Sequence, residues 1–406
     1  MIDTGDTAFI MAASGLVLLM TPGLALFYGG MVRRKNVLGT IMQSLIMISV
    51  VSIEWVILGY SMSFGPDLGG LVGDLSWLGL NSVTSAPSAD YATTIPQNVF
   101  MIYQCMFAII TPALITGAFA ERVRFAPFLL FTFIWAILVY NPVCHWIWGK
   151  GGWLAAKGVL DFAGGLVVHL TSGAAALAAV LVVGPRKGFG RESFQPHNLP
   201  MTVIGTGLLW FGWFGFNGGS ALAANGIAAT AFVATHLAGM AGMAMWTLVE
   251  WVHRKQPTTL GAASGAIAGL ATVTPAAGFI TPMAAIAIGL LAGLVCYGAV
   301  NAKNSIGLDD SLDVIGIHGM GGVIGTICLG IFASKAVNPG GADGLLAGNA
   351  SFLGTQIFGV LVVGIYAFVV SWVLLKIIDA TMGLRVSLED EVTGLDLGEH
   401  SETAYN

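Results

Sequence analysis

Asp161-Phe162-Ala163-Gly164-Gly165-Leu166-Val167-Val168-His169 and Asp313-Val314-Ile315-Gly316-Ile317-His318 each open a long apolar run with a carboxylate at its start and a histidine further in. At about 1.5 Å of rise per helical residue, His169 lies about 12 Å beyond Asp161 and His318 about 7.5 Å beyond Asp313. If the two runs cross a membrane in opposite directions, the histidines approach its midplane from opposite sides. The pair therefore predicts two halves of opposite orientation, related by a two-fold axis in the membrane plane. Ala25-Leu26-Phe27-Tyr28-Gly29-Gly30 and Trp213-Phe214-Gly215-Phe216-Asn217-Gly218-Gly219 echo each other more weakly in the same sense.

Composition supports a membrane setting. The chain has 406 residues, 56% hydrophobic and only 9% charged, where a soluble domain carries about 25% charged residues. A water-facing surface cannot be made from this, so the surface faces lipid. Apolar runs long enough to cross a hydrocarbon core of about 30 Å recur from end to end. They fall at about 7–31, 37–64, 97–120, 125–147, 163–183, 199–218, 226–250, 259–278, 281–300, 312–333 and 351–379. The expected fold is an all-α integral membrane protein of eleven transmembrane helices, a five-plus-five inverted repeat with an extra C-terminal helix. Spans 1 to 5 occupy about 7–183 and spans 6 to 10 about 199–333, span 11 closes a transmembrane domain of 1–379, and 380–406 forms a tail. The 56 glycines let such helices approach closely. The first run lacks a basic segment before it and reads as a span, not a cleaved signal. Of the 16 lysines and arginines, only Lys150, Lys157 and Lys335 fall on the side of the N-terminus. The positive-inside rule then places the N-terminus outside and the C-terminal tail in the cytoplasm.

Ionisable groups at membrane depth cost about 2.5–3.5 kcal/mol each on insertion scales, so each is a functional candidate. Read alone, His169 or His318 is as readily a buried, hydrogen-bonded structural residue. As a pair in an apolar lumen, they offer donor and acceptor nitrogens to a small hydrogen-bonding solute. Asp161 at its helix start suits a capping and supporting role, since a carboxylate there accepts backbone N–H groups; Asp313 has the same reading or is a loop charge. Cys105, Cys144, Cys296 and Cys328 sit in apolar stretches without ligand spacing and read as packing residues. No nucleophile–base pair, metal cluster or phosphate loop is apparent, so no catalytic residue, metal or cofactor is expected. No nucleic-acid footprint is present either. Glu54, His145 and His236 are left without a role.

The runs Thr21 to Gly30, Gly117 to Arg122, Asp161 to His169, Gly212 to Asn217, Gly261 to Ala266 and Asp313 to His318 together resemble bacterial ammonium transporters of the Amt/Rh family. The resemblance implies a homotrimer with one pore per subunit in the inner membrane, carrying ammonium inward. It implies an outer recruitment site of Phe107, Trp148 and Ser220 and a stacked gate of Phe107 and Phe216. His169 and His318 would be the twin pore histidines, with Asp161 and Trp213 as structural support. Aromatic faces attract a cation by about 0.5–2 kcal/mol, and a serine hydroxyl accepts an N–H. The spacing from Pro96 does not place Phe107 well, because eleven residues separate it from the expected outer end of its span. By composition the tail reads as disordered; the resemblance has it fold on the cytoplasmic face and receive a PII-type signalling protein. A sensor is the alternative within the family, but no kinase or cyclase domain follows the eleventh span.

Overall fold

The computed structural model describes residues 1–405. It is a bundle of helices: α1 (Thr4–Met31), α2 (Arg34–Phe64), α3 (Gln97–Phe119), α4 (125–148), α5 (Gly165–Val183), α6 (Leu199–Gly218), α7 (Gly226–Arg254), α8 (Thr259–Val273), α9 (Pro282–Ser305), α10 (Ile315–Phe332) and α11 (Ala350–Met382). Among the described residues, ten are long and apolar enough to cross a membrane, and the shorter apolar α8 brings the set to eleven. The chain is a multi-pass membrane protein. Its helices start where short polar side chains meet an apolar run. Asp3, Asn198, Asn225, Thr258 and Asn349 each accept a hydrogen bond from a first-turn N–H of α1, α6, α7, α8 and α11.

Lipid-facing and protein-facing helices separate clearly. In its most apolar stretch α3 is 89% buried and α5 78%, against 33% for α2 and α11. α3 and α5 therefore run through the middle of the subunit, and large apolar residues such as Ile57, Phe211, Leu361 and Ile365 point outward. α8 stops at Pro275, whose ring cannot continue a helix. The expected span to 278 is completed by buried turns, a backbone tolerated at membrane depth only inside protein.

The inverted repeat is visible in detail, with one correction. The residue matching Asp161 is Asp310, not Asp313. His169 lies eight residues beyond Asp161, and His318 eight beyond Asp310. Asp161 accepts four backbone N–H groups, from Gly164, Gly165, Leu166 and Val167, at 2.7–3.1 Å. Asp310 likewise accepts those of Val314 and Ile315, at 3.1 and 2.8 Å. Asp313 stands at the position matched by Gly164: both have positive φ, 63° and 120°. It turns away to pair with Lys303 at 2.6 Å. Both halves then enter a π-helical stretch, Gly165–Leu170 and Ile315–Gly319, each holding its histidine. The wider winding re-aims side chains and recurs at functional sites. Where α5 crosses α10, a Cβ on Gly173 would come within 2.2 Å of the Gly319 Cα. Only glycine lets the two histidine-bearing helices approach this closely.

The tail is folded, contrary to its composition. After Gly383, with φ 71°, it forms two short helices, α12 (Leu388–Thr393) and α13 (Leu395–His400). These are pinned to the membrane domain by specific bonds. Leu384 accepts from Arg124 N, Val386 N donates to Arg122 O, Glu391 accepts from Lys187 N at 2.7 Å, Asp396 from Gly39 N at 2.8 Å and Glu399 from Phe125 N at 2.8 Å. Backbone N–H groups of the membrane domain bonded to tail carboxylates, with Leu384, Val386 and Leu395 buried beneath, order this segment, and composition does not reveal where its partners are. The platform beneath is itself ionic. Arg186 pairs with Glu121 at 3.0 Å and Asp309 at 2.7 Å, and Arg33 also reaches Glu121. Burial alone would raise both carboxyl groups, but the guanidiniums hold Glu121 and Asp309 below their usual pKa range.

Candidate functional site

A vestibule of about 310 Å³ opens on the face that carries the N-terminus. Its rim comes from the segment between α2 and α3, where two small hairpins, β1 (Asp67–Leu68) with β2 (Val72–Gly73) and β3 (Pro87–Ser88) with β4 (Ala92–Pro96), build a layer above the membrane domain. Asp90 and Tyr91 line the wall and Gln104 sits lower, one turn above Phe107 on α3. This explains the depth of Phe107. The rim is raised, so a side chain eleven residues beyond Pro96 forms the floor of the vestibule and not its lip.

Phe107 stacks on Phe216 with ring centroids 4.2 Å apart and meets Trp148 edge-on at 6.0 Å. Trp148 is held by its indole N–H, which donates to Asp161 O at 2.7 Å. Ser220 lines the same cavity; its hydroxyl donates to Phe216 O at 2.8 Å and lies 3.3 Å from Tyr103 OH. Tyr103 also bonds Gly215 O and Phe216 O, fixing the end of α6. The sequence reading gave Tyr103 no role, although it lies one turn before Phe107 on the same face. Phe107, Trp148, Ser220 and Phe216 are thus brought together.

Below the stacked rings lies a second cavity of about 10 Å³, about the least that holds a single water. Its walls are Leu24, Phe27, Ile110, Leu114, Val168 and other apolar residues, and its polar groups are the two histidines. His169 Nδ1 and His318 Nδ1 lie 3.2 Å apart, with rings near-parallel at 24°. That contact needs one ring to donate and the other to accept, which neutral imidazoles of opposite tautomer satisfy. One Nε2 is then an acceptor and the other a donor. His169 Nε2 has no protein partner. Trp213 stacks on His169 at 5.6 Å and is itself anchored by a bond to Thr274 Oγ1 at 3.0 Å. Asp161 is 6% exposed and saturated by the N–H groups at the helix start, so it organises the chain between Trp148 and His169.

Three unassigned groups now have places. Glu54 is buried between α2 and α4 and accepts from Asn141 at 2.8 Å. His145 is packed, not in the vestibule: it links Ser63 O and Asp67, both at 3.0 Å, and ties the hairpin layer to α4. His236 lies on the outer surface of α7 against Trp210 and Phe214, away from the passage. All four cysteines are buried and free, and no group of metal-binding side chains occurs among the described residues.

The sequence profile of the Ammonium Transporter Family matches residues 8–405. The ammonium transporter of Bacillus subtilis is 52% identical over 99% of this chain and 98% of its own length. Among solved structures, Saccharomyces cerevisiae Mep2 superposes with a TM-score of 0.89 at 36% identity, covering 95% of this chain and 91% of Mep2. A sensor Amt protein superposes with a TM-score of 0.90 at 30% identity, over 98% of each chain.

Proposed function

This chain belongs to the ammonium transporter family, and we propose that the narrow cavity lined by the two histidines lies on the route by which it carries ammonium across the cytoplasmic membrane. The observation that carries this reading is the apolar constriction holding two hydrogen-bonded histidines beneath stacked phenylalanines. An ammonium ion meets the faces of Trp148 and Phe107, which attract a cation, and Ser220 offers a hydroxyl oxygen. A charged ion cannot enter the narrow stretch without losing its hydration, at high cost. Ammonium has a neutral form and potassium does not. The ion gives its proton to water in the vestibule and crosses as ammonia, hydrogen-bonded by His169 and His318; the proton either stays in the outer solution, for net ammonia transfer, or is relayed across separately. The basic residues on the tail face support a cytoplasmic side for the tail and an outward-opening vestibule.

The recruitment site has a direct test. Trp148→Leu and Phe107→Ala each remove one ring face worth about 0.5–2 kcal/mol, so uptake at low ammonium falls by about two- to thirtyfold while uptake at saturating ammonium changes less. An unshifted concentration dependence in both variants removes this site from the account.

The subunit assembles as a trimer, and a PII-type protein docks on the face that carries the tail. The pinned α12 and α13 support that second part, because they present a folded surface and not a loose chain. Deleting residues from Arg385 onward leaves the spans inserted, and block of ammonium uptake by purified PII-type protein is lost. Full block of the truncated protein would put the receptor surface elsewhere. Likeness to a sensor Amt protein offers a second reading, in which ammonium binding is signalled and not followed by flux. Purified protein that binds ammonium yet passes no current or uptake in liposomes would favour it.

A further inference from the structure

Two carboxylates line the vestibule, and their situations differ. Asp161 gives its oxygens to four backbone N–H groups. Asp90, on the rim, has a side chain 42% exposed, and its carboxylate contacts the Lys150 ammonium, itself 67% exposed. The backbone here does not depend on that contact. Lys150 N donates to Tyr91 OH at 3.1 Å, and Tyr91 OH donates to Phe64 O at 2.7 Å. An ion pair this exposed is worth about 0.2–1 kcal/mol and opens readily. A lysine head is a primary alkylammonium, which is an ammonium ion with one N–H replaced by carbon. The rim carboxylate is therefore already bound to a tethered analogue of the solute. A second acceptor waits below. Gln104 lines the same cavity one turn above Phe107, is 9% exposed, and its Oε1 has no protein partner.

We propose that Asp90 is a loading station for ammonium and small alkylammonium ions, from which the incoming ion displaces the Lys150 ammonium before passing Gln104 to the aromatic floor. The proposal rests on the transport reading above and adds a rim site to it. The Lys150 head group is then an intramolecular competitor: it sets the ammonium concentration at which the vestibule fills and keeps the rim neutral when ammonium is scarce. Removing the lysine leaves a bare carboxylate that concentrates cations at the mouth.

The test uses the full-length protein in liposomes, with currents or uptake measured over a range of ammonium concentrations. Lys150→Met is expected to lower the half-saturating ammonium concentration, and Asp90→Asn to raise it, each by about two- to fivefold, the range that surface pair energies span. The double variant follows Asp90→Asn, because the competitor matters only when the carboxylate is present. The Asp90→Asn shift shrinks in high salt, as the field of an exposed charge is screened. Maximal flux is unchanged throughout. Opposite signs are the decisive feature, since a pair that only clamps the rim would shift both variants in the same direction. Shifts of the same sign, or none, in variants that keep wild-type maximal flux overturn the loading station and leave the pore reading intact. A wild type with no saturable ammonium flux overturns both. Lys150→Gln repeats the test with a polar side chain, should the methionine disturb the rim.

Discussion

Potassium is expected to permeate once His169 or His318 is replaced by aspartate. In the wild type the narrowest stretch is walled by apolar side chains, and its polar groups are the His169 and His318 rings, hydrogen-bonded at 3.2 Å. Nothing there compensates a cation that keeps its charge. His169→Asp places a fixed carboxylate and its attached water against Trp213 and Phe216, the rings that flank His169. Acidic rings of this kind stabilise any small cation in cation-selective channels. The variant should carry potassium current where the wild type carries none, even if its ammonium flux falls. Ammonium uptake and potassium current recorded side by side in wild type and His169→Asp decide it. A folded variant that still excludes potassium while passing ammonium would show that selectivity arises elsewhere.

The second large effect is expected at Asp161, through architecture and not chemistry. Its carboxylate accepts four backbone N–H groups and is 6% exposed. Hydrogen bonds to a charged acceptor are worth about 1.5–3 kcal/mol each, and unpaired buried donors cost about as much. Asp161→Ala orphans the start of the π-helical stretch that carries His169 and loosens the residue whose carbonyl holds Trp148. Transport should be lost and the thermal midpoint of the purified protein should fall by several degrees. Asp161→Asn keeps one amide oxygen as acceptor and is expected to be intermediate in both measures. Wild-type stability in Asp161→Ala with transport alone abolished would make Asp161 a solute ligand and contradict the supporting role argued for it.

Much of this architecture can be read in the chain because lipid imposes a simple rule. Apolar runs must span, and the eleven expected runs coincide with the eleven helices to within a few residues, apart from the last five residues of the eighth, where Pro275 replaces helix by buried turns. The inverted repeat is legible through its Asp–His signature, but in the second half the signature points to Asp313 where the structure caps the helix with Asp310. Asp309, Asp310 and Asp313 crowd one short loop. Only the eight-residue spacing from Asp161 to His169, applied to His318, singles out Asp310. Depth was harder, because Phe107 could be placed only once the hairpin layer above it was seen to raise the vestibule rim. Composition failed for the tail. Its order comes from partners on three other segments, such as Gly39, Phe125 and Lys187, that no local pattern announces. Glu54 and His145 looked like functional candidates because buried polar groups are costly. Asn141, Ser63 and Asp67 satisfy much of that cost.

The account stands on one claim, that the solute loses its proton to pass the histidines. Equal jumps of ammonium chloride and potassium chloride on the same wild-type proteoliposomes test it most directly. Ammonium flux with no potassium flux at any concentration is the predicted result; comparable flux of the two ions, blocked alike by substitution of the stacked Phe107 and Phe216, would contradict it.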